Sequence, residues 1–256
     1  MKKLLFITIL FSLLINFNSC RKDRLAALPP ALTAMVNETE PGESVAFRHD
    51  RQGRLQEVSL RNERSVFQYE SDVVTITRLA QDGIDPVSVS KGNLDKAGRL
   101  QVLEGWRRNE SDPAAGRFSY WFIYNTSGQL ITIHYTRETG QGRSLVTTHF
   151  EWANGNVIRE TVSYDGNTES IRTYTYDSTR INKVRMAPRG LPEWADGLLG
   201  VGNRNLPVGY TDSNARGEVV WQTVTAWELD DDGYPKSSVT ENCLNGQVHR
   251  CRYTYH

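Results

Sequence analysis

The chain has 256 residues, 38% of them hydrophobic and 23% charged, with 30 basic and 30 acidic side chains. That length allows one large domain or two small ones, either with a sizeable core. Balanced charge excludes the basic excess that draws proteins to nucleic acid, and beyond the first 20 residues no apolar stretch is long enough to span a membrane.

The N-terminus reads as an export signal. Lys2 and Lys3 precede an apolar run from Leu4 to Phe17, and Asn18, Ser19 and Cys20 follow. A spanning helix needs about 20 apolar residues, whereas a signal core needs about 7–15. Cys20 directly after the small Ser19 marks a bacterial lipoprotein signal over residues 1–19, with Cys20 acylated as the first residue of the mature chain. The departures are Phe17 where Leu is usual, and Asn18; ordinary cleavage would instead leave a free thiol at Cys20. A permanent lipid anchor places the protein at the cell envelope, with the outer membrane expected. A single acidic residue, Asp23, follows the cysteine closely, so sidedness stays open.

Residues 20–42 read as a lipidated tether. It is broken by Pro29-Pro30 and Pro41-Gly42, with a helical turn around Ala31 to Val36. The rest, 43–256, reads as a single repetitive domain. Its unit is aromatic-x-aromatic, an Asp or Asn, a Gly turn, then an aliphatic residue opening the next strand. Copies run Phe47 to Leu55, Phe122 to Leu130, Phe150 to Val157, Tyr174 to Ile181 and Trp227 to Tyr234, with a partial copy from Lys96 to Leu100. The anchors Leu100, Leu130, Val157 and Ile181 recur roughly every 24–30 residues. Each unit is a β-hairpin: aromatic and β-branched residues favour pleated strands, and Asx and Gly supply turns.

Period-two alternation puts Val219, Trp221, Thr223, Thr225, Trp227 and Leu229 on one strand face. Ile131, Ile133 and Tyr135 share another, and Tyr120 to Tyr124, apolar throughout, predicts a strand covered on both sides. The stretch from Val66 to Val89 reads as irregular. A Pro/Gly-rich insertion at about 187–207 interrupts the meander, and Pro192 and Gly200 bracket one short helix at 191–199. The fold expected is all-β: a long antiparallel meander of degenerate hairpins, curled into an open sheet or half-barrel, with the helix near Trp194 against its concave face.

Near the C-terminus, Asn245-Gly246 reads as a two-residue hairpin turn that sets Cys251 opposite Thr240. Cys243 and Cys251 would then point to opposite faces. A Cys243–Cys251 disulfide would need another register, and free structural thiols are the default.

The Tyr174-Thr-Tyr176-Asp177 hairpin resembles YD-repeat-like β-sheet lipoproteins of Bacteroidetes-type envelopes, a family of unknown function. So do the Gly197-Leu-Leu-Gly200 and Asn205-Leu-Pro207-Val208 segments of the insertion, and the closing Asp231-Asp-Gly-Tyr-Pro235 with Arg252 to His256. The resemblance covers roughly residues 45–256. It implies an envelope lipoprotein with a large curved antiparallel sheet, and it transfers no catalytic residue.

Chemistry-bearing motifs are sparse. His49, His134, His149, His249 and His256 lack metal-ligand spacing. Asp230-Asp231-Asp232-Gly233 lacks the later acid of a calcium hand and suits a turn. No nucleophile elbow, phosphate loop or legible carboxylate pair stands out, and no motif calls for a cofactor or a metal. The surplus is aromatic. Trp194, Trp221, Trp227 and Tyr135 are the candidate ligand-binding residues, since flat apolar rings with polar handles suit sugars or lipids; the plainer reading is that they form the hydrophobic face of the sheet. The function expected is non-enzymatic binding of an apolar ligand, a glycan or a protein partner by a lipid-anchored envelope protein. A structural or assembly scaffold is the alternative, and a glycoside hydrolase the remote one.

Overall fold

The computed structural model describes residues 31–41, 44–60, 62–80, 83, 85–108, 116–139, 142–184 and 198–255. Sixteen strands are described. They are β1 (Leu32–Asn37), β2 (Val45–His49), β3 (Leu55–Leu60), β4 (Glu63–Glu70), β5 (Val73–Ala80), β6 (Pro86–Leu94), β7 (Leu100–Arg107) and β8 (Arg117–Tyr124). The second eight are β9 (Leu130–Thr139), β10 (Gly142–Ala153), β11 (Asn156–Tyr164), β12 (Asn167–Ile181), β13 (Asn205–Asn214), β14 (Val219–Leu229), β15 (Pro235–Asn242) and β16 (Val248–Tyr255). Each pairs antiparallel with its sequence neighbour, and β1 also pairs with β16.

The barrel is therefore closed, and the expectation of an open sheet or half-barrel is corrected. The strand that closes it lies in the segment read as a tether. Met35 pairs with Tyr253 on one side and with Val45 on the other. An open sheet would leave the outer edges of β2 and β16 with unpaired amides and carbonyls, and β1 satisfies both. Where a helical turn was expected, the short LTAMVN run forms this strand.

Other expectations change with register. Tyr174 to Ile181 is no hairpin: β12 runs through it as one 15-residue strand, and Ile181 is 62% exposed rather than an anchor. Without a glycine after Asp177 the chain has no residue suited to the left-handed turn, so it continues extended. The stretch from Val66 to Val89 belongs to the regular strands β4, β5 and β6. Ile123 lies exposed on the outer wall, so β8 is covered on its inner side alone. The Asn245-Gly246 turn is longer than two residues. Asn242 N–H donates to the Gln247 carbonyl, and Cys251 faces Ser238 rather than Thr240. Cys243 and Cys251 are not bridged to one another. Of the expected helix, residues 191–197 lie outside the described residues, and Leu198 to Gly200 form a turn.

Inner and outer faces follow from burial. Val58, Phe67, Val74, Leu103, Phe122, Ile133 and Phe150 share the inward parity and are buried. The neighbouring positions carry Arg48, Arg64, Gln68, Lys91 and Glu151 outward.

The up-and-down connectivity gives the barrel two ends. The turns 50–54, 71–72, 95–99, 125–129, 154–155 and 230–234 gather at one, with residues 182–184 and 198–204, the start of β1 and the end of β16. We call it the floor. The strand ends at Asn37, Leu60, Ala80, Arg107 and Thr139 lie at the other, the mouth, with the turns 165–166, 215–218 and 243–247.

Five turns are near copies, four at the floor and Asn214 to Glu218 at the mouth. In each, the first-position side-chain Oδ1 accepts the N–H groups two and four residues on. For Asp95 these are Ala97 at 2.8 Å and Arg99 at 3.0 Å; for Asn125 they are Ser127 and Gln129, both at 3.0 Å. The fourth residue is glycine at φ between 75° and 81°, a region that costs other residues about 1–2 kcal/mol. In four of the five the side chain of the fifth residue bonds the first. Asp50 and Asp95 take Arg54 and Arg99, while Asn125 and Asn214 take Gln129 and Glu218.

Tyrosine and tryptophan donors at the floor ends of five strands tie the floor together. Tyr124 Oη–H donates to the Leu100 carbonyl, Trp152 Nε1–H to Leu130, Tyr176 to Val157, Trp227 to Pro207 and Tyr255 to Pro235, all within 2.6–2.8 Å. Residues 198–205 then cross this end. Leu100 N–H donates to the Leu198 carbonyl, Val201 to Gly128 and Arg204 to Gly155. The Asn203 side chain accepts from Val157 N–H at 2.8 Å. Leu198 and Leu199 join the core of Leu100, Phe122, Leu130, Phe150 and Val157. The barrel is a cup with an apolar, hydrogen-bonded floor.

Candidate functional site at the barrel mouth

Toward the mouth the inner wall changes character. On β11 to β14 the inward positions carry Glu160, Arg172, Tyr174, Tyr210, Asp212, Trp221 and Thr223 in neighbouring registers. Arg172 is the hub. Its Nε and Nη2 both donate to the Asp212 carboxylate, the latter at 2.9 Å. Its guanidinium lies 4.8 Å from the centre of the Tyr210 ring, and Glu160 Oε2 stands 4.0 Å from its Nη1. Tyr174 Oη–H donates to Glu160 at 2.7 Å. Burial pushes the Glu160 carboxyl above its ordinary range, against the pull of the Tyr174 hydrogen bond and the Arg172 charge. Burial likewise pushes the Tyr174 phenol up, assisted by the Glu160 charge. Arg172, held by Asp212 and Glu160, stays fully protonated.

Trp221 faces this cluster from β14, with Asp212 opposite it on β13. Its indole Nε1–H is buried and has no hydrogen-bond partner among the described residues. A buried donor left unpaired costs about 1–3 kcal/mol.

A second arc lies on β7 to β9. Tyr120 and Tyr135, paired across β8 and β9, stack with ring centroids 4.6 Å apart, and Phe118 meets Tyr120 edge-on at 5.8 Å. Burial pushes the Tyr120 phenol up to about 12, although the nearby Arg107 draws it down.

The structure thus separates the aromatics named from sequence. Trp221 and Tyr135 line the mouth half of the inner wall on different arcs. Trp227 belongs to the floor, its indole committed to the Pro207 carbonyl and its ring 5.7 Å from Tyr253. Trp194 lies outside the described residues, as does Cys20. His134 and His149 sit on the outer wall, each bonded at 3.0 Å to a threonine of the neighbouring strand, Thr147 and Thr132. The Asp230 carboxylate is occupied by the backbone of its turn.

Sequence reasoning missed Glu160, Arg172 and Asp212. The signal was a charged residue at an inward strand position. Reading it requires the bulges at Glu151/Trp152 and Val162/Ser163, which reverse parity along the chain.

No protein-family model matches the sequence, and no curated protein matches it. The YD-repeat resemblance therefore gains no support from these comparisons. Solved structures do match. A porin-like protein from Bacteroides uniformis superposes with a TM-score of 0.64 at 17% identity, over 89% of this chain and 97% of that one. A porin-like protein from Bacteroides vulgatus gives 0.64 at 14% identity, over 88% and 99%. At these identities the likeness establishes the fold.

The outer wall carries ion pairs along its strands: Arg48 with Glu57 at 3.0 Å, Arg159 with Glu151 at 3.7 Å, and Lys236 with Glu228 at 3.0 Å. A barrel that crosses a bilayer presents an apolar band there, and an Arg or Lys at the midplane costs about 2–4 kcal/mol. Here the polarity is reversed, with charge outside and the apolar core inside.

Proposed function

We propose that this chain is a lipid-anchored cell-envelope protein that binds a ligand in the mouth of its barrel and does no chemistry on it. The observation that carries the reading is the contrast within the cup. Polar groups at the floor are spent on backbone bonds, whereas at the mouth a buried Trp221 N–H lacks a partner among partly exposed aromatic and charged side chains. The leader and Cys20 support an envelope address, as does the shared fold with porin-like Bacteroides proteins. The charged outer wall supports attachment through lipid rather than through the barrel. β1 begins at the floor, and 11 residues, 21–31, separate Cys20 from Leu32, about 40 Å when extended.

Glu160 and Asp212 are the two carboxylates that a glycosidase reading would choose. Asp212 is held bidentate by Arg172 and Glu160 by Tyr174, which supports a binding role instead. The closed barrel leaves no unpaired edge among the described strands, which removes edge pairing as a route to assembly.

Two experiments test the reading. Radiolabelled palmitate is expected to enter the wild-type chain but not Cys20→Ser, which fractionates as soluble. The mature Cys20→Ser protein is then titrated with neutral oligosaccharides and n-alkyl glycosides while tryptophan fluorescence is followed. Saturable quenching that Trp221→Phe weakens is the expected result. A hydrolase activity abolished by Glu160→Gln would overturn the reading.

A further inference from the structure

Four arginines point inward toward the mouth: Arg78 on β5, Arg107 on β7, Arg137 on β9 and Arg172 on β12. Two are neutralised by acids on adjacent strands, Arg78 by Glu63 and Arg172 by Asp212. Arg107 and Arg137 have no carboxylate partner among the described residues. Their placement follows from register. Arg107 shares its face with the fully buried Leu103 and pairs across from Ser88, while Arg137 shares its face with Ile133 and Tyr135 and pairs across from Phe118. They therefore flank β8 from its two sides on the same wall, and Arg107 is near enough to Tyr120 to lower its phenol.

The chemistry between them is apolar. Phe118, Tyr120 and Phe122 run along β8 from the mouth toward the core, with Tyr135 stacked on Tyr120. Both are exposed at the rim, where water screens much of their mutual repulsion and an anion between them would remove the rest. Guanidinium groups bind carboxylate and phosphate through paired N–H donors. The opposite arc cannot compete for an anion, because Arg172 there is already bound between Asp212 and Glu160.

Resting on the reading of the mouth as a binding site, we infer that the β7–β9 arc takes a small amphipathic anion. Its carboxylate or phosphate head sits between Arg107 and Arg137, and its apolar part runs down the Phe118–Tyr120–Tyr135 face toward the floor. The outward arginines Arg48 and Arg159 differ, since each has a glutamate on its neighbouring strand.

The test uses the mature Cys20→Ser protein and calorimetric titration with three twelve-carbon probes: laurate, dodecyl phosphate and dodecyl maltoside. Both anions are expected to bind more tightly than the neutral maltoside, with affinity falling as salt rises. The ratio of the two anions tells a carboxylate head from a phosphate head. Removing one charge-assisted bidentate contact weakens binding about tenfold, so Arg107→Gln/Arg137→Gln is expected to lose about a hundredfold for the anions and little for the maltoside. Anion binding unchanged in the double variant, or no anion binding at all, overturns the inference. Trp221-dependent quenching by neutral oligosaccharides would survive that failure, so the two readings fail separately. Should the double variant not fold, salt dependence and anion-over-maltoside preference in the otherwise unaltered protein decide the matter.

Discussion

The two ends of this barrel are built from the same strands and obey different rules. At the floor, nearly every polar group serves the backbone: Asx side chains cap turns, tyrosine and tryptophan donors hold strand carbonyls, and residues 198–205 bond one hairpin after another. At the mouth, acids and arginines meet each other across strands, and the Trp221 indole N–H meets no acceptor among the described residues. The difference teaches that the floor is organised by local turn and backbone bonds, whereas the mouth joins side chains that only strand register brings together.

Breaking the floor should cost most. Leu100 is fully buried in the floor's apolar core, and Leu100→Ala is expected to destabilise by about 3–4 kcal/mol in urea unfolding. Trp221→Phe at the mouth, which removes an unpaired donor, should change stability by under about 1 kcal/mol. Equal losses would erase the contrast between the ends. Next in size is Gly200→Ala. Gly200 lies at φ 83°, and an added Cβ would come 2.6 Å from the Gly128 carbonyl oxygen. Thermal unfolding should show a loss of about 2 kcal/mol, while Gly246→Ala, with open space around it, loses less.

A smaller effect sharpens the comparison through pH. Burial raises the Glu160 carboxyl, so folding favours its protonated form. Its contribution to stability is present below the ordinary carboxylate range and is lost as pH rises through the raised value. Glu160→Gln does not titrate. Its melting temperature relative to wild type should therefore climb between pH 4 and pH 8, and a constant difference would refute the assignment. The smallest effect tests the turn pairing. Asn214→Asp sets a carboxylate against Glu218 and should cost about 0.5–1 kcal/mol, and adding Glu218→Arg recreates the Asp–Arg pairing of the floor turns and should restore it.

What the sequence made legible was the floor. Asx, glycine and paired aromatics recur there because each copy solves the same local problem, and local problems leave local signatures. The hairpins at Asp50, Asp95, Asn125 and Asp230 were readable for that reason. Tyr135 and Trp221 were readable as aromatics but not as opposite arcs, because bulges shift parity between strands. β1 was hidden because one of its two partners lies at the other end of the chain: Met35 meets Tyr253, and nothing near Met35 records it. The Arg172 cluster was hidden for a related reason, since Glu160 and Asp212 come together only through the register of three successive strands.

The junction of β1 with β16 also sets an order of events. The Thr33 hydroxyl bonds the Thr254 carbonyl across 221 residues of sequence. Every other ladder joins neighbours and can zip as the chain emerges, while this one must wait for the final strand to be made. Closing so long a loop carries its entropic cost late, and such non-local pairing is slow. Until then β1 and the growing C-terminal strand expose open edges. Folding thus ends by uniting the first described strand with the last.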